Sequence, residues 1–138
     1  MDCRFRRDAL IRKIKRIALY REHIHLTSMD ATQYIRFELK KLPHHALVNL
    51  DPPYYRAGPD LYPYAYQHHD HLALPNAVRK MPHRWMLTYD DAPEICAKYP
   101  GLTDYRKTLT YSAHGKRFAK ELFILSDDLT PTALVVAA

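Results

Sequence analysis

At 138 residues the chain is long enough for one modest core and short for a two-lobed enzyme. Its 21 Lys and Arg against 15 Asp and Glu leave a net charge of +6, which favours a polyanionic partner but on its own separates no nucleic-acid protein from any other basic one. Cys3 and Cys96 sit in no CxxC or Cys/His spacing, which argues against a disulfide framework and for a reducing, cytoplasmic compartment; with no apolar run of about 18 residues, neither a membrane span nor a secretory signal is predicted.

From Asp8 to Tyr20, Leu10, Ile11, Ile14, Ile17 and Ala18 recur on one helical face with Arg12, Lys13, Lys15 and Arg16 around the rest, and Asp8 is placed to cap the helix. His23 to Thr27 alternates with Ile24 and Leu26 apolar, and Ser28, Met29 and Asp30 lead into a second helix through Tyr34, Ile35 and Leu39, so the spacing predicts strand, turn, helix. After Pro43, the run Ala46 to Leu50 reads as a strand buried on both faces of a parallel sheet. A loop rich in Tyr and Pro covers Asp51 to Gln67, followed by a helix from about His69 to Lys80 that Pro75 should kink or shorten. Trp85 to Tyr89 is the next strand. Asp91 and Pro93 supply the cap and early proline of a helix ending near Gly101. Strands over Asp104 to Tyr111 and Glu121 to Leu125 then form an antiparallel hairpin. Residues 1–128 make one domain, and 129–138 are a tail without pattern.

This alternation predicts an α/β fold with a mostly parallel sheet. In such folds ligands bind at the carboxyl ends of the strands, where Asp30, Asp51, Asp90 and Asp91 would border one crevice. The sharpest signal there is Asp51-Pro52-Pro53-Tyr54. The prolines hold the chain extended, so the Pro52 carbonyl stays out of any helix and can face the crevice beside the Asp51 carboxylate. Two such acceptors suit one exocyclic amine, and methyl transfer to adenine N6 needs that amine's conjugated lone pair reoriented toward the methyl group. Tyr54 offers a face on which an extruded base can stack. Asp-Pro-Pro is also ordinary turn chemistry, but the apolar strand before it and the β/α frame around it favour the catalytic reading.

These segments resemble the D12 class of adenine-specific DNA methyltransferases, the family that includes the Dam enzymes. NLDPPYYRAGPDLY resembles its catalytic motif and following loop, HDHLAL the next helix, RWMLTYDDAPEI the next strand and turn, and KELFILS a late core strand. The resemblance implies a partial Rossmann-like fold dependent on S-adenosylmethionine. It implies a catalytic set of Asp51, Pro52, Pro53 and Tyr54, and a donor site bordered by Asp51 and by Asp30. Tyr55 and Arg56 in the same loop, with Lys116 and Arg117 in the hairpin turn, are the candidates for contact with DNA.

The chain departs from that family in lacking a glycine-rich donor loop and a target-recognition region: Gly58, Gly101 and Gly115 are its only glycines, and no two could form such a loop. The expected form is therefore incomplete or partner-dependent, with DNA as substrate and a second chain supplying the donor-binding loop. A non-catalytic remnant or DNA-binding subunit, and an RNA or guanine methyltransferase, are the alternatives. His68, His69, Asp70 and His71 carry no metal expectation, because neighbours on a helix point in different directions. Ser112 and His114 lack an acidic partner for a hydrolase triad.

Overall fold

The computed structural model describes residues 6–111 and 117–129. Helix α1 spans Arg7–Ala18, with Asp8 in its first turn and Lys15 and Arg16 in its last, each favourable to the helix dipole. Arg6, not Asp8, occupies the cap position. A single 3-10 turn, Arg21–His23, follows. Residues 24–30 then run outside any sheet, so the strand expected over His23 to Thr27 does not form. A strand completes its hydrogen bonds only against a neighbour, and alternation of Ile24 and Leu26 cannot supply one.

Helix α2 covers Ala31–Phe37 and passes into a 3-10 turn at Leu39–Lys41. Strand β1 (Leu47–Leu50), the short helix α3 (Gly58–Leu61), helix α4 (His68–Val78) and strand β2 (Arg84–Asp90) make one β-α-β unit. β1 and β2 are parallel, with Leu50 opposite Leu87. Pro75 lies inside α4 and is buried; the helix continues through it and ends at Val78. Helix α5 is only Pro93–Cys96, capped by Ala92 instead of Asp91. It stops well short of Gly101, whose φ of 76° suits glycine.

Strands β3 (Thr103–Tyr111) and β4 (Arg117–Leu125) form the antiparallel hairpin, with β4 beginning four residues earlier than Glu121. The sheet order is β1-β2-β4-β3, and β4 runs antiparallel to both of its neighbours. One pairing of three is therefore parallel, and the expectation of a mostly parallel sheet is corrected to a mixed one. Each parallel pairing needs a long crossover, and the only one available is the stretch carrying α3 and α4.

The core lies where β2 and β4 meet α2 and α4. Leu74, Val78, Leu87, Tyr89, Leu122 and Ile124 are sealed from solvent, with Ile35 and Leu39 closing one side. Each such aliphatic side chain contributes about 1.5–3 kcal/mol by leaving water. β1 is an edge strand: Val48 and Leu50 reach the core, while Leu47 and Asn49 are exposed, so it is not buried on both faces as its apolar run suggests.

Candidate functional site

Asp51 is the first residue beyond β1, at its carboxyl end. The parallel register that sets Leu50 against Leu87 brings Asp51 beside Thr88, whose hydroxyl donates to Asp51 Oδ1 at 2.7 Å. One carboxylate oxygen is thereby anchored to the middle of the sheet. Asp51 remains exposed, and among the described residues no hydrogen bond is made to the neighbouring Pro52 carbonyl. A fixed carboxylate next to a carbonyl is a two-acceptor arrangement at the sheet edge, suited to an amine with two hydrogens.

The loop that carries these acceptors is tied down twice. Asp90, the last residue of β2, accepts from the backbone N–H of Tyr55 through Oδ1 and of Arg56 through Oδ2, both at 2.8 Å. Consecutive N–H groups gripped by one carboxylate are charge-assisted bonds, which fix the path of the chain leaving Pro53. The Tyr54 hydroxyl donates to the Glu121 carboxylate on β4, and its half-buried ring packs against the core. Gly58 donates to the Tyr54 carbonyl at 2.8 Å and sits so close to Pro53 that an added Cβ would lie 3.4 Å from it.

Behind the loop is a cluster of tyrosines and histidines. The Tyr55 ring meets His71 edge-on with centroids 5.1 Å apart, and its hydroxyl shares a 3.1 Å hydrogen bond with His68 Nδ1. His71 is buried; its Nδ1 shares a 2.9 Å hydrogen bond with the Tyr89 hydroxyl, and Tyr66 covers it from another side with centroids 5.3 Å apart. Burial pushes the His71 imidazole below its usual range despite the nearby Asp70 and Asp90 carboxylates. Burial likewise raises the Tyr89 phenol, which keeps its proton. His69 lies 3.3 Å from Asp70 on the exposed side of α4. His68 and His71 thus share Tyr55, while His69 lies apart from them beside Asp70.

Asp30 follows no strand. It caps α2, accepting from the Gln33 N–H at 3.1 Å and from the Thr32 hydroxyl, and these bonds, the hydroxyl's first, hold its carboxyl below the usual range. It lines a cavity of about 210 Å³ with Thr32, Tyr66, Asp70 and Ala73. Through Tyr66, which touches His71, it approaches the cluster behind Asp51, but no hydrogen bond joins Asp30 to Asp51. Arg56 is ion-paired with Glu94 at 3.2 Å, and Asp91 with Arg106 at 2.9 Å, so Asp91 faces the hairpin and not the loop. Lys116 and the Arg117 side chain lie outside the described residues, as do Ser112, His114 and the tail beyond Leu129.

Thr88, Glu121 and the clamping role of Asp90 are absent from the reading of the sequence, because each acts across the sheet from the loop it holds. Only the strand register reveals them. The Asp30 cavity is smaller than the roughly 300 Å³ at which small-molecule pockets begin. No helix of the described residues is long and apolar enough to cross a membrane. Neither comparison with protein-family models nor comparison with curated proteins returns a match.

Proposed function

We propose that this chain is the amine-holding part of a DNA adenine-N6 methyltransferase acting in the cytoplasm, with S-adenosylmethionine as methyl donor and a second chain supplying the glycine-rich donor-binding loop. The observation that supports this reading best is the Asp51 carboxylate, pinned by Thr88 directly before Pro52 on a loop clamped by Asp90. An adenine amine between this carboxylate and the Pro52 carbonyl would have both N–H bonds directed, which turns its nitrogen lone pair away from the ring. Preorganised acceptors of this kind act mainly by orientation and by favouring the charge that develops on nitrogen. Pro53 keeps the Pro52 carbonyl out of local backbone structure. Tyr54 would contribute part of its ring to the base, with its hydroxyl tethered to Glu121.

The Arg56 guanidinium would meet a DNA phosphate only by leaving Glu94, an exposed pair worth little. Lys116 and Arg117 remain candidates for the same task. Counting N6-methyladenine by mass spectrometry in plasmid DNA tests the proposal. Cells making this chain together with a glycine-rich donor-binding half should accumulate the modified base, and cells making either part alone should not. Unmodified adenine in the combined cells, with both parts soluble and associated, would contradict it.

A further inference from the structure

A second concave site lies away from the Asp51 loop, between α2 and α4 and beside the turn that leads into β2. It encloses about 680 Å³, within the range of small-molecule sites. Three cations line it: Arg36 from α2, Lys40 from the 3-10 turn after it, and Lys80 from the turn that follows α4. Among the described residues none of the three is in an ion pair, whereas Lys41, Arg56, Arg84 and Arg106 all are. No carboxylate lines the groove. Glu38 is the only acid between Ala31 and Lys41, and both of its oxygens are taken by Lys41, at 2.8 and 2.7 Å. From Asn76 to Arg84 there is no acid at all.

Arg36, Lys40 and Lys80 bring three like charges to the same groove, where they repel one another. An anion in the groove would relieve that repulsion. Ile35, Ala77 and Met81 add an apolar surface, and the Gln33 and Asn76 amides each bring a donor and an acceptor. Arg36 already lies over the Phe37 ring, 5.1 Å from its centroid, so a flat guanidinium-aromatic surface stands at the rim.

We infer that this groove binds a nucleoside phosphate, its phosphates against Arg36, Lys40 and Lys80 and its base over the apolar surface beside Gln33 and Asn76. The phosphate-bearing group is either a free nucleotide or one unit of a nucleic-acid strand. The inference does not depend on the function proposed for the Asp51 loop.

Calorimetric titration of the full chain with ATP, adenosine and a dT12 oligonucleotide tests it. ATP should bind saturably and adenosine at least about tenfold more weakly, since the phosphates carry the charge-assisted bonds. Lys40→Gln with Lys80→Gln, both surface changes, should weaken ATP by about tenfold or more at an unchanged thermal midpoint. Asp51→Ala should leave ATP binding intact, which separates this site from the proposed amine site. Oligonucleotide binding lost in the same double variant identifies a strand as the source; oligonucleotide binding that is absent or indifferent to the variant identifies the free nucleotide. No saturable ATP binding, ATP binding equal to adenosine, or ATP binding unchanged in the double variant would overturn the inference. Should the double variant unfold, nuclear magnetic resonance shifts of the parent chain decide: ATP must perturb the backbone amides of Gln33, Arg36 and Lys80 before those of other residues.

Discussion

Between Arg6 and Asp30 only Ala9 is even half-buried, while in the chain from Ala31 onward Leu74, Val78, Leu87 and Leu122 are at most 1% exposed. Both regions carry apolar residues at regular spacing. On α1 that spacing makes a face of Leu10, Ile11, Ile14 and Ile17 that meets no core, with Ile14 65% exposed. On α4 a far weaker segregation of apolar from polar residues accompanies a face, His71, Leu74, Pro75 and Val78, that is buried. Periodicity therefore predicts that a helix forms, because its hydrogen bonds are internal, but burial depends on what the rest of the fold places opposite. The His23 to Thr27 segment is the complementary case: its alternation is real, yet a strand's hydrogen bonds belong to its neighbour.

Truncation of the core should show the contrast most strongly. Leu122→Ala should cost about 2–5 kcal/mol, read as a fall in the urea midpoint, since a sealed side chain leaves a cavity. A loss below about 1 kcal/mol would mean that β4 is not the centre of the core. Next in size is the clamp on the loop that follows Asp51. Asp90→Ala frees two N–H groups from a charged acceptor and should cost about 1–3 kcal/mol, with faster hydrogen exchange at Tyr55 and Arg56. Unchanged exchange at those two amides would show that the loop is held by other means.

A pH effect follows from His71. Its folded imidazole is held below the 6.5 of a free histidine, so below that pH the unfolded chain takes up a proton that the folded chain refuses. The stability this group contributes is present above pH 6.5 and is lost as pH falls toward the folded value, at a slope of at most about 1.4 kcal/mol per pH unit. The thermal midpoint should accordingly drop in this window, and His71→Gln should flatten this part of the profile. A midpoint that rises on acidification, in a manner dependent on His71, would reverse the assignment. The smallest effect belongs to α1, where Ile14→Ala should change stability by no more than about 0.5 kcal/mol. A larger loss would show that the apolar face of α1 packs in the isolated chain.

Much of the frame around the site was legible in the sequence. The strand before Asp51, the helix through His71, the strand ending at Asp90 and the final hairpin all have local signals, from an apolar run bounded by prolines to a 3.6-residue period. The mixed sheet was not legible, because parallel or antiparallel pairing is decided between segments and not within them. Within the site, Asp51 and the two prolines announce themselves by order along the chain. Thr88 gives no such sign, since a threonine in a strand is unremarkable until register sets it beside a carboxylate. Asp30 misled for a related reason: an acid after an alternating segment looks like a strand-end ligand, and here it is a helix cap.

The central claim is that the Asp51 carboxylate, with the Pro52 carbonyl, acts on the amine of the target base. Its most direct test is Asp51→Ala in the chain combined with a glycine-rich donor-binding half, reading N6-methyladenine by mass spectrometry and DNA affinity by fluorescence anisotropy on the same preparation. On the proposed function, loss of methylation with affinity nearly unchanged is expected, because phosphate contacts elsewhere would carry most DNA binding while the carboxylate would act at the transfer step. Methylation close to that of the parent would mean that Asp51-Pro52-Pro53-Tyr54 is a structural turn and that the amine is held elsewhere.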